Sequence, residues 1–255
     1  MLAEYLEPQS RLRLNKIRST IVFFGSARSI GTDELESQYK DLSRKYEQRE
    51  DLTKREIERR LRNARRLAQY YDEAVELSSM LSEYYQKMPD PRDRHCICSG
   101  AGPGMMEAAN RGAAKVGGKN VGLSISLPYE QGINRYLDPK LTFEFHYFFM
   151  RKYWFIYLAR ALAVFPGGFG TMDEMFEVLT LLQTRKISRH LPVVLYGSEF
   201  WEQIINFEKL VEWGVVSEED LNLFQVCDTP EEAFVYLISA IEQVGQYPES
   251  RENPY

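Results

Sequence analysis

Short apolar runs alternate with helical stretches along most of the chain, and this alternation predicts its fold. Runs typical of buried strands lie at 21–24, 95–98, 121–127, 141–145, 161–165 and 192–196. Helices are predicted at 105–115, 148–158, 172–184, 200–213 and 230–244. Strands that alternate with helices form a parallel sheet with helices on both faces. The sequence therefore predicts a single α/β domain over residues 1–255, built on a doubly wound, Rossmann-like parallel sheet.

A long helical segment follows the first predicted strand. Residues 32–88 contain neither Gly nor Pro, and Thr53 and Glu56 have the spacing of a capping box, so a second helix is predicted to begin there. Apolar residues then recur every three or four positions, forming a stripe of Ile57, Leu61, Ala64, Ala68, Tyr71 and Val75. Because such a narrow stripe suits one partner helix, we expect it to help form a homodimer or larger homo-oligomer.

Composition and charge narrow the possible classes of protein. A net charge of −5 argues against a general affinity for nucleic acid. The first twenty residues carry charges throughout and lack the apolar core of a secretory signal, and no uncharged apolar run is long enough to span a membrane. Cys96, Cys98 and Cys227 match no zinc pattern. We therefore expect a cytoplasmic protein that contacts no membrane and whose cysteines are reduced packing residues.

Three of the predicted strands end in glycine-rich turns. These are Gly25-Ser26, the segment 100–104 in SGAGPG, and the segment 167–170 in FPGGFGTMDE. Glycine tolerates positive φ and close approach of another molecule, and N–H groups at a helix start bind anions. Because the carboxyl ends of parallel strands share one edge of a sheet, we expect the turns to line one crevice for a nucleotide or sugar phosphate. For any single turn, a close helix–strand crossing explains the pattern equally well, with Thr171 capping the helix and acids in its first turn.

Two common nucleotide-binding motifs do not fit these turns. The spacing of Gly100, Gly102 and Gly104 differs from G-x-G-x-x-G, and the next strand ends without an acid to hold a ribose hydroxyl. No turn continues into Gly-Lys-Ser/Thr, so a P-loop is excluded. Arg151 and Lys152 precede the strand that carries the third turn. They are either solvated charges with stems over apolar surface, or cations of the crevice that pair with acids there.

The run FFMRKYWFIYLARALAVFPGGFGTMDEMFEVLTLLQTRKI, with SGAGPGMMEAANRGA and FFGSAR, closely resembles the LOG family over roughly residues 18–28 and 68–240. These are cytokinin riboside 5′-monophosphate phosphoribohydrolases; bacterial relatives cleave purine and pyrimidine 5′-nucleotides, and many members were once labelled lysine decarboxylases. The resemblance implies an enzyme that cleaves nucleoside 5′-monophosphates, of the AMP or cytokinin type, to free base and ribose 5-phosphate. It implies no cofactor and no metal. A non-catalytic nucleotide-binding protein of the same fold is the competing interpretation.

The resemblance also assigns roles to individual residues. It implies that Arg151 and Glu174 are the catalytic pair. The residues expected to bind the 5′-phosphate are Gly167, Gly168, Gly170 and Thr171, with Gly102 and Gly104 beside the ligand. Further substrate contacts are expected from Ser26, Met105, Met150, Lys152 and Asp173. Residues 33–66 depart from the family pattern as a basic helical insertion, which we expect to dock on a partner subunit rather than on nucleic acid.

Overall fold

The computed structural model describes residues 1–49, 52–128 and 132–245. Within these ranges the chain forms one seven-stranded sheet. Its strands are β1 Thr20–Phe24, β2 Cys96–Ser99, β3 Asn120–Ile125, β4 Thr142–Phe145, β5 Ala159–Val164, β6 Val193–Tyr196 and β7 Gln225–Cys227. The strand order is β4-β3-β2-β1-β5-β6-β7, and each neighbouring pair is parallel. The predicted doubly wound parallel sheet is therefore confirmed. The predicted domain 1–255 extends past the described residues at its carboxyl end, and its being a single domain stays a prediction.

Helices lie on both faces of the sheet. They are α1 Leu2–Leu14, α2 Thr32–Glu47, α3 Lys54–Gln86, α4 Met105–Lys115, α5 Phe148–Tyr157, α6 Phe169–Gln183, α7 Ser198–Ile204, α8 Phe207–Glu212 and α9 Pro230–Gly245. Strand β1 is buried at every position, and its side chains alternate between two cores. Val22 and Phe24 pack in the core that includes residues of α1, α5, α6 and α7. Ile21 and Phe23 pack in the core that includes residues of α3, α4 and α9. No helix in the described ranges is both long and apolar enough to cross a membrane.

Several elements differ from the sequence prediction. Helix α1 and the three-residue strand β7 were not predicted, and helix α6 begins three residues before the predicted position at Met172. The helix predicted at 200–213 is two helices, because Ile205 adopts an extended conformation and Asn206 caps α8. The Asn206 Oδ1 accepts the backbone N–H of Lys209 at 2.9 Å. A capping side chain in an otherwise helical stretch thus marks a new helix start.

The segment 33–66, predicted to be a helical insertion, is mostly helical in its described residues, within α2 and the first part of α3; its being an insertion stays a prediction. The capping box is present: Thr53 Oγ1 accepts the Glu56 N–H at 3.3 Å, and Glu56 Oε2 accepts the Thr53 N–H at 2.9 Å. The expected use of the apolar stripe for a partner chain is wrong for its middle positions. Leu61, Ala68 and Tyr71 are 8%, 1% and 3% exposed within one chain, because α2 and the core beneath α3 already cover them. A homo-oligomer stays a prediction, but these three buried positions are not available to its interface.

The order of the strands locates the most favourable ligand site. From β1 the sheet grows through β2 and β3 to β4 in one direction, while β5 returns to the other side of β1 and leads to β6 and β7. Strands β1 and β5 are therefore neighbours whose following connections leave in opposite directions. Open α/β sheets bind ligands at such a switch point, beyond the carboxyl ends of the strands.

Candidate active site

The three glycine-rich turns meet at this switch point, and Ser26 joins them. The Ser26 N–H donates to the carbonyl of Pro166 at 3.0 Å, which connects the turn after β1 to the turn after β5. The Ser26 carbonyl accepts the N–H of Met105 at 2.9 Å, which connects the same turn to the start of α4. The Ser26 Oγ accepts the backbone N–H of Arg28 at 3.1 Å. The backbone N–H and carbonyl of Ser26 thus connect all three turns to one another.

Close packing explains some of the glycines. At Gly104 an added Cβ would lie 2.2 Å from the Ser26 carbonyl oxygen, and φ is +73°, a conformation that favours glycine. At Gly167 an added Cβ would lie 2.1 Å from Thr171 Oγ1. Gly104 is therefore glycine because the turn after β1 touches it, and Gly167 because the Thr171 side chain of α6 does.

Packing does not explain the glycines at 168 and 170. An added Cβ at Gly168 or Gly170 would find no described atom within 4 Å, and both residues are exposed. Neither has a positive φ, so backbone conformation does not require glycine at either position. What the two glycines provide is open space in front of the start of α6.

The start of helix α6 has the properties of an anion site. Gly168 is its N-cap residue, and no side chain of the described residues caps it. The N–H groups of the first turn, at Phe169, Gly170 and Thr171, have no acceptor within the helix. The alternative in which Thr171 caps the helix is wrong, since Thr171 lies inside the first turn with only 7% of its surface exposed. Free N–H groups and the helix dipole both favour a negative ligand here.

The two acids of the motif lie in the second turn of α6, not in the first as expected, because the helix begins earlier. The Glu174 side chain is buried, and its Oε1 lies 3.3 Å from Arg151 Nη2 on α5. Burial raises the pKa of Glu174, although Lys152 and Arg151 partly oppose the shift. Burial likewise lowers the pKa of Arg151, whose Nε is buried without a hydrogen-bond partner among the described residues. The site therefore holds a carboxylate and a guanidinium that are both largely removed from water.

Lys152 connects the same two helices through three carboxylates. Its Nζ lies 2.8 Å from Asp173 Oδ2, 2.7 Å from Glu177 Oε2 and 3.8 Å from Glu174 Oε2. Burial disfavours the charge of Lys152, but the surrounding carboxylates outweigh this effect and raise its pKa. Sequence reasoning did not single out Glu177. Its position, three residues after Glu174 on the same helical face, was the available signal.

The other predicted contacts fall into two groups. The Met105 side chain is 1% exposed and packs beneath Gly25, and the partly buried Met150 packs against the core. Both support the floor of the site, and their contact with substrate stays a prediction. Gly102 is buried, and its carbonyl accepts Asn134 Nδ2–H at 3.1 Å, a contact that sequence reasoning missed. In the described ranges, no group of three or more His, Cys, Asp or Glu residues is placed to hold a metal ion.

The family match includes both helices that carry the acid–cation pairs. Residues 106–237 match a protein-family model described as "Possible lysine decarboxylase". The chain belongs to this LOG-like family. This result confirms the resemblance, whose motif residues Arg151 and Glu174 lie inside the matched range. No curated protein matches the chain.

Solved structures share the fold at low sequence identity. The structural genomics target TM1055 has a TM-score of 0.50 and 19% identity, with 89% of this chain and 99% of that chain covered. The molybdenum cofactor carrier protein MCP from Chlamydomonas reinhardtii has a TM-score of 0.50 and 17% identity, with 88% of this chain and 99% of that chain covered. At such identities the likeness extends to the fold alone.

Proposed function

We propose that this protein hydrolyses the N-glycosidic bond of nucleoside 5′-monophosphates, of the AMP or cytokinin riboside type, to free base and ribose 5-phosphate. The observation that carries the proposal is the buried carboxylate of Glu174 on α6, the helix whose first turn has free N–H groups and open space in front of it. Glu174 is paired with Arg151 and lies six residues after the N-cap residue Gly168. At the rise of an α-helix this separation is about 9 Å along the axis. A phosphate at the helix start and a ribose extending toward Glu174 fit such a spacing.

The open helix start provides the phosphate site in this proposal. The N–H groups of the first turn of α6 bind the phosphate oxygens, helped by the helix dipole. Gly168 and Gly170 leave the space that the phosphate occupies. Binding energy from this remote group then holds the ribose C1′ against the carboxylate.

Glu174 supplies the chemistry. Breaking an N-glycosidic bond develops positive charge on the ribose ring, as in glycoside hydrolysis. The Glu174 carboxylate stabilises this charge and orients or deprotonates the attacking water. The water oxygen bonds to C1′, the electron pair of the C1′–N bond leaves with the base, and the proton that water loses balances the one that the base gains.

In this proposal Arg151 binds the substrate and does not act as the general acid. Although burial lowers its pKa, the ordinary value for arginine is so high that the guanidinium keeps its proton. It therefore suits hydrogen bonding to the substrate or to the departing base. Lys152 keeps its proton as well, because the carboxylates around it raise its pKa. A protonated lysine held by three acids is a poor nucleophile for a Schiff base, which argues against the decarboxylase label of the family.

The proposal is tested by incubating the protein with a panel of nucleoside 5′-monophosphates, without added metal or cofactor, and measuring free base by chromatography. We expect base release from at least one nucleotide. Glu174→Gln keeps the shape but removes the charge, and should lower kcat by about 10²–10³-fold with nucleotide affinity retained. Glu208→Gln, an exposed change on α8, is the matched control. If no nucleotide in the panel yields base, the protein is instead a nucleotide-binding module, which would need the helix start but not Glu174.

A further inference from the structure

Glu4 on helix α1 makes hydrogen bonds at two places in and next to α5. The Glu4 Oε1 accepts the backbone N–H of His146 at 3.1 Å and lies 3.3 Å from His146 Nδ1, just before α5 begins. The Glu4 carbonyl accepts the indole N–H of Trp154 at 3.1 Å, in the second turn of α5. Arg151 lies between His146 and Trp154 in the chain. Glu4 therefore contacts the chain on both sides of Arg151, through the backbone N–H of His146 and the side chain of Trp154.

Helix α1 is itself firmly attached to the sheet. Leu12 is 3% exposed and packs in the core beneath α5. The Arg11 Nη2 donates to the carbonyls of Pro139 and Thr142 at 2.6 and 3.2 Å. The ring of Tyr5 lies 5.9 Å from that of Trp154, which adds apolar contact next to Glu4. The helix is thus a fixed support for α5.

The Glu4 carboxylate is costly to keep where it is. Its side chain is only 14% exposed, and Oε2 is buried without a hydrogen-bond partner in the described ranges. A buried acceptor without a partner destabilises a fold. An apolar residue would avoid this penalty but would leave the His146 N–H without its acceptor. The start of α5 has no side-chain cap among the described residues, and the Glu4 carboxylate is the side-chain acceptor that holds the chain between β4 and α5.

The Arg151 side chain depends on this support. Among the described residues its guanidinium makes one hydrogen bond, of 3.3 Å to Glu174, and its Nε has no partner. The guanidinium also lies over the rings of Phe148 and Phe155, 5.4 and 5.6 Å from their centroids. Because both rings belong to α5, the side chain takes its position from the helix that carries it. We propose that Glu4 is a positioning residue for Arg151, acting through the first two turns of α5. The hydrolysis readout rests on the proposed function, whereas the placement of α5 does not.

Three substitutions test the effect on catalysis. Glu4→Ala removes the acceptor and should lower kcat by about 10- to 100-fold, as displacement of a catalytic group does. The KM should stay near that of the unchanged protein, because the phosphate is seated on α6. Glu4→Gln keeps an acceptor oxygen and should restore most of the activity. Glu7→Gln is the matched control, since Glu7 is on the same helix but is exposed and pairs with Arg11.

A double-mutant comparison distinguishes positioning from general stability. If Glu4 acts through Arg151, Glu4→Ala should cause no further loss of kcat in an Arg151→Ala background. Losses that simply multiply would overturn the proposal, as would normal kcat in Glu4→Ala alone.

Hydrogen exchange provides a readout that is independent of hydrolysis. Glu4→Ala should speed amide exchange in residues 147–157 but not in 169–183, and Glu7→Gln should change neither. If the unchanged protein releases no base, the proposed function fails while this exchange result still decides the role of Glu4. If Glu4→Ala does not fold, the same measurements are made on Trp154→Phe. That variant removes the hydrogen bond from the indole N–H to the Glu4 carbonyl. Unchanged exchange in residues 147–157 in both variants would contradict the inference.

Discussion

At the scale of single residues, the glycines of the crevice divide into two kinds. Gly104 is required by the fold, because a side chain would strike the Ser26 carbonyl and the backbone is left-handed. Gly170 faces open space in a helix, where alanine is the better residue. The two positions therefore separate a requirement of folding from a requirement of ligand binding.

This difference gives a test by substitution. Gly170→Ala should leave the free energy of unfolding unchanged or raise it by up to about 1 kcal/mol, while weakening AMP binding, since the methyl group enters the phosphate space. Gly104→Ala should lower the free energy of unfolding by about 1–3 kcal/mol through backbone strain and overlap. Denaturant unfolding and calorimetric titration with AMP measure both effects. Unchanged AMP affinity in Gly170→Ala would show that the open space is not used.

The buried carboxylate predicts the pH dependence of the reaction. Because burial raises the pKa of Glu174, and the reaction needs its ionised form, kcat should fall with decreasing pH at a value above that ordinary for glutamate. Lys152 lowers this pKa by its charge, so Lys152→Met should move the acid limb of the profile to still higher pH. The profile of kcat between pH 4 and 9 measures this. An acid limb that stays in place in Lys152→Met would mean that another group controls it.

At the scale of elements, local chemistry decided how well the sequence predicted each one. Helix α4 was predicted with its observed bounds, since a glycine turn precedes it and Gly117 follows it. The start of α6 was not, because Phe169, Gly170 and Thr171 have low helix propensity, so the sequence pattern places the helix start too late. Helix α1 contains Pro8, which masks the helical pattern, and its stability comes from contacts with distant residues of the sheet. The pairing of α5 with α6 depends on tertiary packing, so candidate residues of the site could be predicted from the sequence but the distances between them could not.

Helix α6 as an anion-binding element predicts a preference for phosphorylated substrates. If its first turn makes two hydrogen bonds to a charged phosphate, each worth about 1.5–3 kcal/mol, then kcat/KM for AMP should exceed that for adenosine by more than about 100-fold. Part of the difference should appear in kcat, because the phosphate holds the ribose in place. Initial rates with both substrates give the ratio. Equal values would mean that the glycine turn after β5 serves only the fold.

At the scale of the whole molecule, the exposed aromatic side chains concentrate near the site. Phe148 and Phe149 at the start of α5 are 51% and 54% exposed, and Phe169 at the start of α6 is 94% exposed. Large exposed apolar side chains that lie together usually mark an interaction surface. Leu61, Ala68 and Tyr71 of the stripe on α3 are already buried within the chain, so this aromatic surface is the better candidate for contact between two copies.

We therefore expect a homodimer whose interface includes the start of α5. Sedimentation at micromolar concentration should give twice the 29.8 kDa of one chain. Phe149→Glu places a charge in the proposed interface and should give monomers, because an unpaired charge is costly to bury. Trp213→Glu is the matched control, since Trp213 is 82% exposed at the end of α8, outside the aromatic surface, and the dimer should persist. If the wild-type protein is a monomer, there is no contact between copies and each crevice acts within a single chain. If the dimer survives Phe149→Glu, the contact between copies lies on another surface.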